Sequence, residues 1–545
     1  MPSPSRPSLP PSSRRREPRR IAGVLVPLFS VRTHRSWGIG DIGDLEPFAR
    51  WMLEDAGQKL VQLLPIGSLP GDETSPYSAA TSFGIDPMYI AVDRLEDVRR
   101  DDHAALLGPD GDKTLEYLHG TKSVDYRTVR AVKRRFLRAA AERFYAREWG
   151  TSSKRGSALA AFCEEQRDWL DDYALFHALK QRFGQSWWRA WPSGVRDRDP
   201  RVLAEHAEEL RLEIFAEKYL QWIAYQQWSD ARRAINAMGV ELMGDLPFMV
   251  GIDSADVWGR RGDFVLDATL GVPGDAFSPE GQDWGLPVYD WAAMDGSGLS
   301  WVRNRAAAMG RLYDRFRLDH LVGYYRMYVR PKPKADGAAR DAPRFVPELE
   351  PDQILRGEKA LNAIVEAAAS VGASIVAEDL GTIPPFVRAS LETLGIPGYK
   401  VLCWEKDFDV FREPSTFPRC SLATSGTHDT DALATWWESL GFDERRHALS
   451  EIPALRAIAG ERDVDRFTPK VHDALLDALY GAGSDLVLLP IQDIFGTRDR
   501  VNTPGMVGSE NWSYRFPAPI EELRKSPEIA GRMRAAKERV ERSGR

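Results

Sequence analysis

The segment ASIVAEDL, residues 373–380, is a short apolar run that ends in two carboxylates. Runs of this kind form strands that are buried on both faces of a parallel sheet. Seven similar runs occur, at 21–28 (IAGVLVPL), 59–66 (KLVQLLPI), 239–246 (GVELMGDL), 315–320 (RFRLDH), 398–404 (GYKVLCW), 421–427 (SLATSGT) and 485–491 (DLVLLPI). Helical patterns lie between many of them. Eight strands that alternate with helices predict an α/β fold, a (β/α)8 TIM barrel. A doubly wound sheet is the alternative if the true number of strands is seven or nine.

The chain is much longer than a bare barrel, which takes about 250 residues. It has 545 residues, so the rest must form tails and large, mainly helical insertions. Apolar stripes at helical spacing predict helices in an insertion at about 100–236. Loop insertions are expected at about 251–300 and at 331–351, which contains five prolines. We therefore predict a single catalytic barrel over residues 21–530 and a C-terminal helix or tail over 531–545.

The composition excludes several classes of protein. Hydrophobic residues make up 43% and charged residues 28% of the chain, which is typical of a globular protein and not of a disordered one. No apolar stretch is long enough for a membrane helix. The net charge of -7 gives no general attraction for nucleic acid or anionic lipid, so neither partner is expected. The three cysteines have no paired spacing, which favours a reducing compartment, and we expect the cytoplasm.

The first twenty residues differ from the rest, because they contain six arginines and one glutamate. They have no apolar core region, so they are not a secretory signal. We predict a disordered basic leader over residues 1–20. An arm that binds a polyanion is the alternative.

Carboxylates stand at the ends of several of the apolar runs. Barrel enzymes place their catalytic groups at the C-terminal ends of the strands. One such carboxylate would be explained by helix capping, but four strand ends together predict an acidic pocket. These residues are Asp245, Asp319, Glu378 with its neighbour Asp379, and Asp429, while the last run leads to Asp493.

Cleavage of a glycosidic bond uses such a pocket, because one carboxylate attacks or stabilises the sugar cation and another protonates the leaving oxygen. Arg317 and Asp319 are two residues apart on a strand and point the same way, so the guanidinium would keep Asp319 ionised, as a nucleophile requires. A buried structural ion pair is the alternative. Glu378 and Asp379 point to opposite faces. We expect Glu378 in the pocket as acid/base and Asp379 bonded to the backbone or capping.

Other kinds of site have less support. His34, His320 and His428 could bind a metal together with the aspartates, but no HxH or HxxxH pair exists. We expect no metal, and we expect His320 and His428 to donate hydrogen bonds to substrate or to the carboxylates. The segment 38–43 matches GxGxxG without a strand directly before it, so Asp41 or Asp44 is expected to cap the next helix.

Nine motifs follow one another from residue 36 to 516: SWGIGDIGDL (36–45), SPYSAATSFGIDPMYI (75–90), GDLPFMV (244–250), SADVWGRRGDF (254–264), PGDAFSPEGQDWGLPVYDW (273–291), RLDHLVGYYRMY (317–328), AEDLG (377–381), GTHDTDA (426–432) and PGMVGSENWSYRF (504–516). Together they resemble the 4-α-glucanotransferase family, glycoside hydrolase family 77, also called amylomaltases or disproportionating enzymes. Departures from the commoner family pattern, such as Leu286 and Asp86, lie on loops and concern acceptor preference and product size.

The resemblance implies an interrupted (β/α)8 barrel of the α-amylase clan that needs no dissociable cofactor. It implies retaining transfer of α-1,4-glucan segments between maltooligosaccharides, with glucose as an acceptor. Asp319 would be the nucleophile, Glu378 the general acid/base and Asp429 the transition-state stabiliser. The implied or expected sugar-binding residues are Arg317, His428, Asp245, Tyr77, Trp258, His320, Asp283 and Trp284. Three alternatives stay open: an α-glucan hydrolase of the same clan, a non-catalytic glucan-binding barrel and a metal-dependent barrel hydrolase.

Overall fold

The fold was analysed on a computed structural model, which describes residues 19–274, 281–333, 341–506 and 508–545. The predicted leader lies almost wholly outside the described residues, since only Arg19 and Arg20 of it are described. The Arg20 guanidinium donates to the backbone oxygen of Ala482 over 2.6 Å. Part of the motif at 273–291 and part of the predicted loop at 331–351 also lie outside the described residues.

Eight parallel strands form a closed barrel, which confirms the predicted (β/α)8 TIM fold. Each predicted run contains one strand: β1 Ile21–Val26, β2 Leu60–Leu63, β3 Glu241–Leu246, β4 Arg315–Leu318, β5 Ser374–Ala377, β6 Gly398–Val401, β7 Ser421–Thr424 and β8 Leu486–Pro490. The strands follow one another around the barrel in chain order. Because β1 pairs with both β2 and β8, the sheet has no edge, and the doubly wound alternative is wrong.

The strands read as continuous apolar runs because side chains fill the barrel interior and helices cover its outside. Every residue of β1, β2, β7 and β8 is buried. The pairing of β3 with β4 sets Asp245 opposite Arg317. The register of the barrel thus brings the first charged pair of the pocket together.

One helix, Ile42–Ala56, lies between β1 and β2. Helices dominate the segment between β2 and β3, and these are His103–Leu107, Gly111–Gly120, Tyr126–Arg147, Lys154–Glu165, Arg167–Arg182, Ser193–Arg196, Pro200–Glu209 and Arg211–Ala237. A buried ion pair joins the insertion to the barrel. The Lys133 ammonium donates to Asp41 over 3.0 Å and to two backbone oxygens. As expected, Asp41 and Asp44 form a capping box at the start of helix Ile42–Ala56.

The segments after β3 and β4 form a small sheet that the sequence did not predict. The predicted irregular loop at 331–351 contributes strand Arg344–Val346 and the end of Met327–Pro331, and the segment 251–300 contributes Ala268–Val272 and Gln282–Asp283. All pairs in this sheet are antiparallel. Such strands are stabilised by partners from distant parts of the chain, so their local pattern is weak.

The remaining elements complete the barrel and its surface. The helices are Ala255–Gly259, Trp291–Gly296, Ser300–Leu312, Val322–Tyr325, Glu350–Ser370, Pro385–Leu394, Leu433–Ser439, Phe442–Glu451, Pro453–Arg456, Pro469–Tyr480, Ile491–Phe495, Ile520–Leu523 and Pro527–Arg542. The short strands are Phe264–Val265 with Val288–Tyr289, and Lys406–Asp407 with Val410–Phe411. Among the described residues, no helix has the length and apolar character that a membrane crossing requires.

Two helical glycines give a test of the packing. A Cβ at Gly357 would lie 2.0 Å from the buried Tyr325 ring, whereas one at Gly531 would meet nothing within 4 Å. Gly357→Ala should lower the free energy of unfolding by roughly 1–3 kcal/mol through overpacking, which outweighs its gain in helix propensity. Gly531→Ala should raise it by about 0.5–1 kcal/mol. Thermal unfolding of both variants is the measurement, and equal shifts would contradict the packing of Tyr325 against helix Glu350–Ser370.

Candidate active site

The Arg317 guanidinium joins the carboxylates of three neighbouring strands. Its Nη1 donates to both oxygens of Asp245, each over 2.9 Å, and lies 2.8 Å from Oδ1 of Asp319. Its Nη2 lies 3.9 Å from Oε2 of Glu378. Arg317 is only 6% exposed. Burial disfavours its charge, but Asp245 and Asp319 more than compensate and raise the pKa of the guanidinium above its ordinary value.

Backbone N–H groups fix the carboxylates of Asp319 and Glu378. Asp319 Oδ2 accepts from the N–H of Phe248 over 3.3 Å. Glu378 accepts from the N–H of His320 over 2.7 Å and from that of Leu380 over 3.2 Å. His320 has a φ of +43°, a conformation that non-glycine residues rarely adopt. Such strain is found where the surrounding contacts hold the backbone in place, and here it accompanies the N–H bond to Glu378.

Glu378 and Asp319 lie in different surroundings, although they share the pocket. Burial raises the pKa of Glu378 to about 8, with Arg317 opposing the shift and the negative charge of Asp319 reinforcing it. Asp319 instead faces the guanidinium directly and is partly exposed. A carboxyl that keeps its proton beside one in direct contact with a cation is the pattern of a general acid beside a nucleophile.

Asp429 joins this group through Tyr77 and His428. The Tyr77 hydroxyl donates to Oδ2 of Asp245 over 2.7 Å, and its ring stacks on His428 with 5.1 Å between centroids. His428 Nε2 lies 3.4 Å from Oδ2 of Asp429. The Asp429 side chain is 40% exposed, so its carboxylate is open to a ligand. Residues predicted from four strand ends and from a loop after β2 therefore lie in one contact network.

Two further residues of this network were missed by the sequence analysis. The Asn502 side-chain amide donates to Oδ1 of Asp429 over 2.6 Å. The Trp512 ring lies 5.7 Å from both Tyr77 and His428, centroid to centroid. Neither residue stands at the end of a strand, and the only signal for Trp512 was its place in the motif at 504–516.

His320, Trp284 and Asp283 lie at the side of the pocket nearest β4. The ring centroid of Trp284 is 4.8 Å from that of His320, with the rings nearly perpendicular. Burial lowers the pKa of His320 to about 4, so its imidazole is neutral at physiological pH. Asp283 is exposed; it accepts from the N–H of Gly285 and lies 3.9 Å from Arg330. It therefore stands beside Trp284 on the small sheet.

Trp258 does not face the pocket, so the prediction that it binds sugar is wrong. Its side chain is 0% exposed, and its indole N–H donates to the backbone oxygen of Val195 over 3.2 Å. The ring packs against Trp191 and lies under the Arg198 guanidinium. A glucan cannot reach a ring that the insertion covers on its faces, so Trp258 is a core residue.

The other acidic residues at strand ends have structural partners. Asp379 accepts from the N–H of Tyr399 over 2.7 Å, as expected for the member of the Glu378–Asp379 pair that points away from the pocket. Asp493 accepts from Ser425 Oγ and from the N–H of Leu433. In the described part of the chain, no group of three or more His, Cys, Asp or Glu side chains is arranged to hold a metal ion.

Comparison with known proteins points to the same chemistry. A family model described as 4-alpha-glucanotransferase matches residues 26–521. The chain is 32% identical over 527 residues to a 4-alpha-glucanotransferase of Thermus thermophilus, with 93% of this chain and 96% of that protein covered. It is 30% identical over 514 residues to one of Chlamydia pneumoniae, with 92% of each covered. An amylomaltase from Streptococcus agalactiae, solved in complex with acarbose, has a TM-score of 0.80 and 25% identity, covering 96% of this chain and 99% of that one.

Two arginines on β4 give a matched test of the charge network. Arg317→Lys replaces a planar fork by a single ammonium that cannot reach all three carboxylates, and should cost up to about 3–5 kcal/mol in the free energy of unfolding. Arg315, whose Nε lies 2.6 Å from Glu241, is the control. Arg315→Lys keeps one charge contact and should cost about 1 kcal/mol or less. Thermal unfolding of both variants checks this, and a smaller loss for Arg317→Lys would contradict it.

Proposed function

The chain belongs to the 4-alpha-glucanotransferase family, glycoside hydrolase family 77, and we propose that Asp319, Glu378 and Asp429 carry out its transfer of glucan segments with retention of configuration. The observation that carries this assignment is the single buried guanidinium of Arg317 in contact with two carboxyls of unlike environment. It lies 2.8 Å from Asp319 and 3.9 Å from Glu378. Retention needs the two carboxyls about 5–5.5 Å apart, and shared contact with one guanidinium favours that short separation.

In the first half of the reaction, Asp319 attacks the anomeric carbon of an α-1,4-linked donor. The bond to the leaving oxygen breaks, and Glu378 gives its proton to that oxygen. The products are a covalent β-glucosyl ester on Asp319 and a released sugar whose 4-hydroxyl is free. Arg317 serves both partners, because it contacts the nucleophile directly and remains beside Glu378 when that residue loses its proton.

In the second half, Glu378 acts as the base. It takes the proton from the 4-hydroxyl of an acceptor, whose oxygen attacks the anomeric carbon and releases Asp319. The new bond has the α configuration, and both carboxyls return to their starting protonation states. Asp429 is proposed to bind sugar hydroxyls and to stabilise the positive charge that develops on the ring in each half.

Transfer requires that a sugar outcompetes water at the ester. Aromatic side chains surround the carboxylates: Tyr77, Trp512 and His428 pack together on one side, and Trp284 covers His320 on another. Amphipathic rings of this kind bind the faces of sugars while they exclude water. We propose maltooligosaccharides as donors, and maltooligosaccharides or glucose as acceptors. We also propose a cytoplasmic location, on the grounds of the cysteine usage alone.

Maltotriose distinguishes transfer from hydrolysis. The enzyme should convert it to glucose and longer oligosaccharides with little rise in total reducing ends, measured by chromatography and a reducing-end assay. Asp319→Asn should lower this turnover by roughly 10³-fold or more while it keeps glucan binding, because the amide preserves the shape but cannot form the ester. Asp485→Asn, directly before β8 at the opposite end of the barrel, is the control and should stay active. Unaltered turnover in Asp319→Asn would remove the assigned nucleophile, and a matching rise in reducing ends would indicate hydrolysis.

The pH dependence should report Glu378. The residue must carry its proton to release the leaving group, and its pKa is about 8. Therefore kcat/KM should be maintained up to about pH 8 and fall roughly tenfold per unit above it. A glucosyl fluoride donor, whose leaving group needs no protonation, should lose this alkaline limb. Initial rates from pH 5 to pH 10 with both donors are the measurement, and an alkaline limb shared equally by both would contradict the role of Glu378.

A further inference from the structure

The loop that carries His428 and Asp429 is held by the segment 500–506, which follows β8. The Arg500 guanidinium donates from Nη2 to the backbone oxygen of Asp429 over 2.7 Å, and its Nη1 lies 2.5 Å from Oδ1 of Asp431. Its Nε donates to the backbone oxygen of Asn502 over 2.7 Å. The N–H of Asn502 donates to the backbone oxygen of His428 over 3.1 Å. These contacts fix the two backbones relative to each other.

The side chain of Asn502 makes a separate contact. Its amide donates to Oδ1 of Asp429 over 2.6 Å, while the other oxygen of that carboxylate faces His428 Nε2. Each oxygen of Asp429 therefore has one partner, and together the two partners define how the carboxylate is turned. The segment itself does not depend on this amide, because Asn511 binds the N–H and the backbone oxygen of Thr503.

We propose that Asn502 is a positioning residue, which acts on the reaction by holding the Asp429 carboxylate in its working orientation. This inference rests on the proposed function, since the orientation of Asp429 matters only if the carboxylate stabilises a sugar cation. An aspartate on a loop is free to rotate, and misplacement of a catalytic group by about 1 Å can cost about 10²-fold in rate.

The chemistry of an amide suits this task. An amide N–H donates to a carboxylate without a net charge. A lysine or arginine in its place would neutralise the carboxylate and weaken its attraction for the developing positive charge on the sugar. Asn502 thus orients Asp429 while the negative charge of the carboxylate stays available to the sugar.

Two substitutions test the proposal. Asn502→Ala should lower kcat by roughly 10- to 100-fold with a much smaller change in KM, because the lost orientation matters most in the transition state. Asn502→Asp is isosteric and should fold, but it places two carboxylates at hydrogen-bond distance. Such a pair keeps a proton to higher pH, so the acidic limb of kcat/KM should move upward by roughly one pH unit or more.

The control is Asn511→Asp, which adds the same charge to the neighbouring part of the loop. It removes the bonds that the Asn511 amide donates to the backbone oxygens of Thr503 and Met506, but it leaves the contact between Asn502 and Asp429 in place. Tyr77, His428, Asp431 and Arg500, which are titratable or charged groups near Asp429, are unchanged in every variant. The acidic limb of Asn511→Asp should move much less than that of Asn502→Asp. Initial rates of maltotriose disproportionation between pH 4 and pH 9, with thermal unfolding of each variant, provide the data.

Two results would overturn the proposal. One is a kcat for Asn502→Ala within about twofold of that of the unsubstituted enzyme, and the other is an equal shift of the acidic limb in the two aspartate variants. Failure of the proposed function would look different, because the unsubstituted enzyme itself would then not disproportionate maltotriose. An active enzyme with an unmoved acidic limb in Asn502→Asp removes only the role of Asn502.

Discussion

A single buried cation, the guanidinium of Arg317, is the constraint on which the pocket depends. Three carboxylates from β3, β4 and β5 surround it, and the one most deeply buried, Asp245, binds it through both oxygens. A charge in such a place is tolerated only when its partners are in position, since an unpaired buried charge costs several kcal/mol. The pairing of β3 with β4, which sets Asp245 opposite Arg317, is therefore tied to the chemistry of the site. A slip of one residue would turn all of these side chains to the other face of the sheet.

The same guanidinium gives the two carboxyls different surroundings, which suits the different roles proposed for them. Asp319 is in direct contact with Nη1, whereas Glu378 is farther from the cation and is more deeply buried. The two backbone N–H groups that bind Glu378 favour its charged form, yet burial outweighs them and its pKa remains raised. The strained His320 backbone, which supplies one of those N–H groups, keeps the acid in place without adding a charge.

The sequence predicted best those features that depend on residues close together in the chain. Continuous apolar runs that alternate with helical patterns predicted the barrel. The two-residue period of a strand predicted the shared direction of Arg317 and Asp319 and the opposite directions of Glu378 and Asp379. The sequence was least informative about side chains whose surroundings come from far along the chain. Trp258 lies in a motif near the pocket, but the ring is buried by Val195 and Arg198 of the insertion. The small antiparallel sheet after β3 and β4, and the contacts of Asn502, depend on pairings that no single segment encodes.

The insertion is connected to the pocket through Trp512. This residue has a φ of +61° and packs its ring on both Tyr77 and His428. Its backbone oxygen accepts from the hydroxyl of Tyr126, at the start of an insertion helix, and its N–H donates to Val501 beside Asn502. The same insertion helix carries Lys133, which is bound to the cap of the first barrel helix. Asp319 and Glu378, the proposed nucleophile and acid, thus depend on the rigid pairing of barrel strands, whereas Asp429 depends on loops that the insertion supports. Changes in the insertion are therefore expected to act on the pocket through His428 and Asp429 before they affect Asp319 or Glu378.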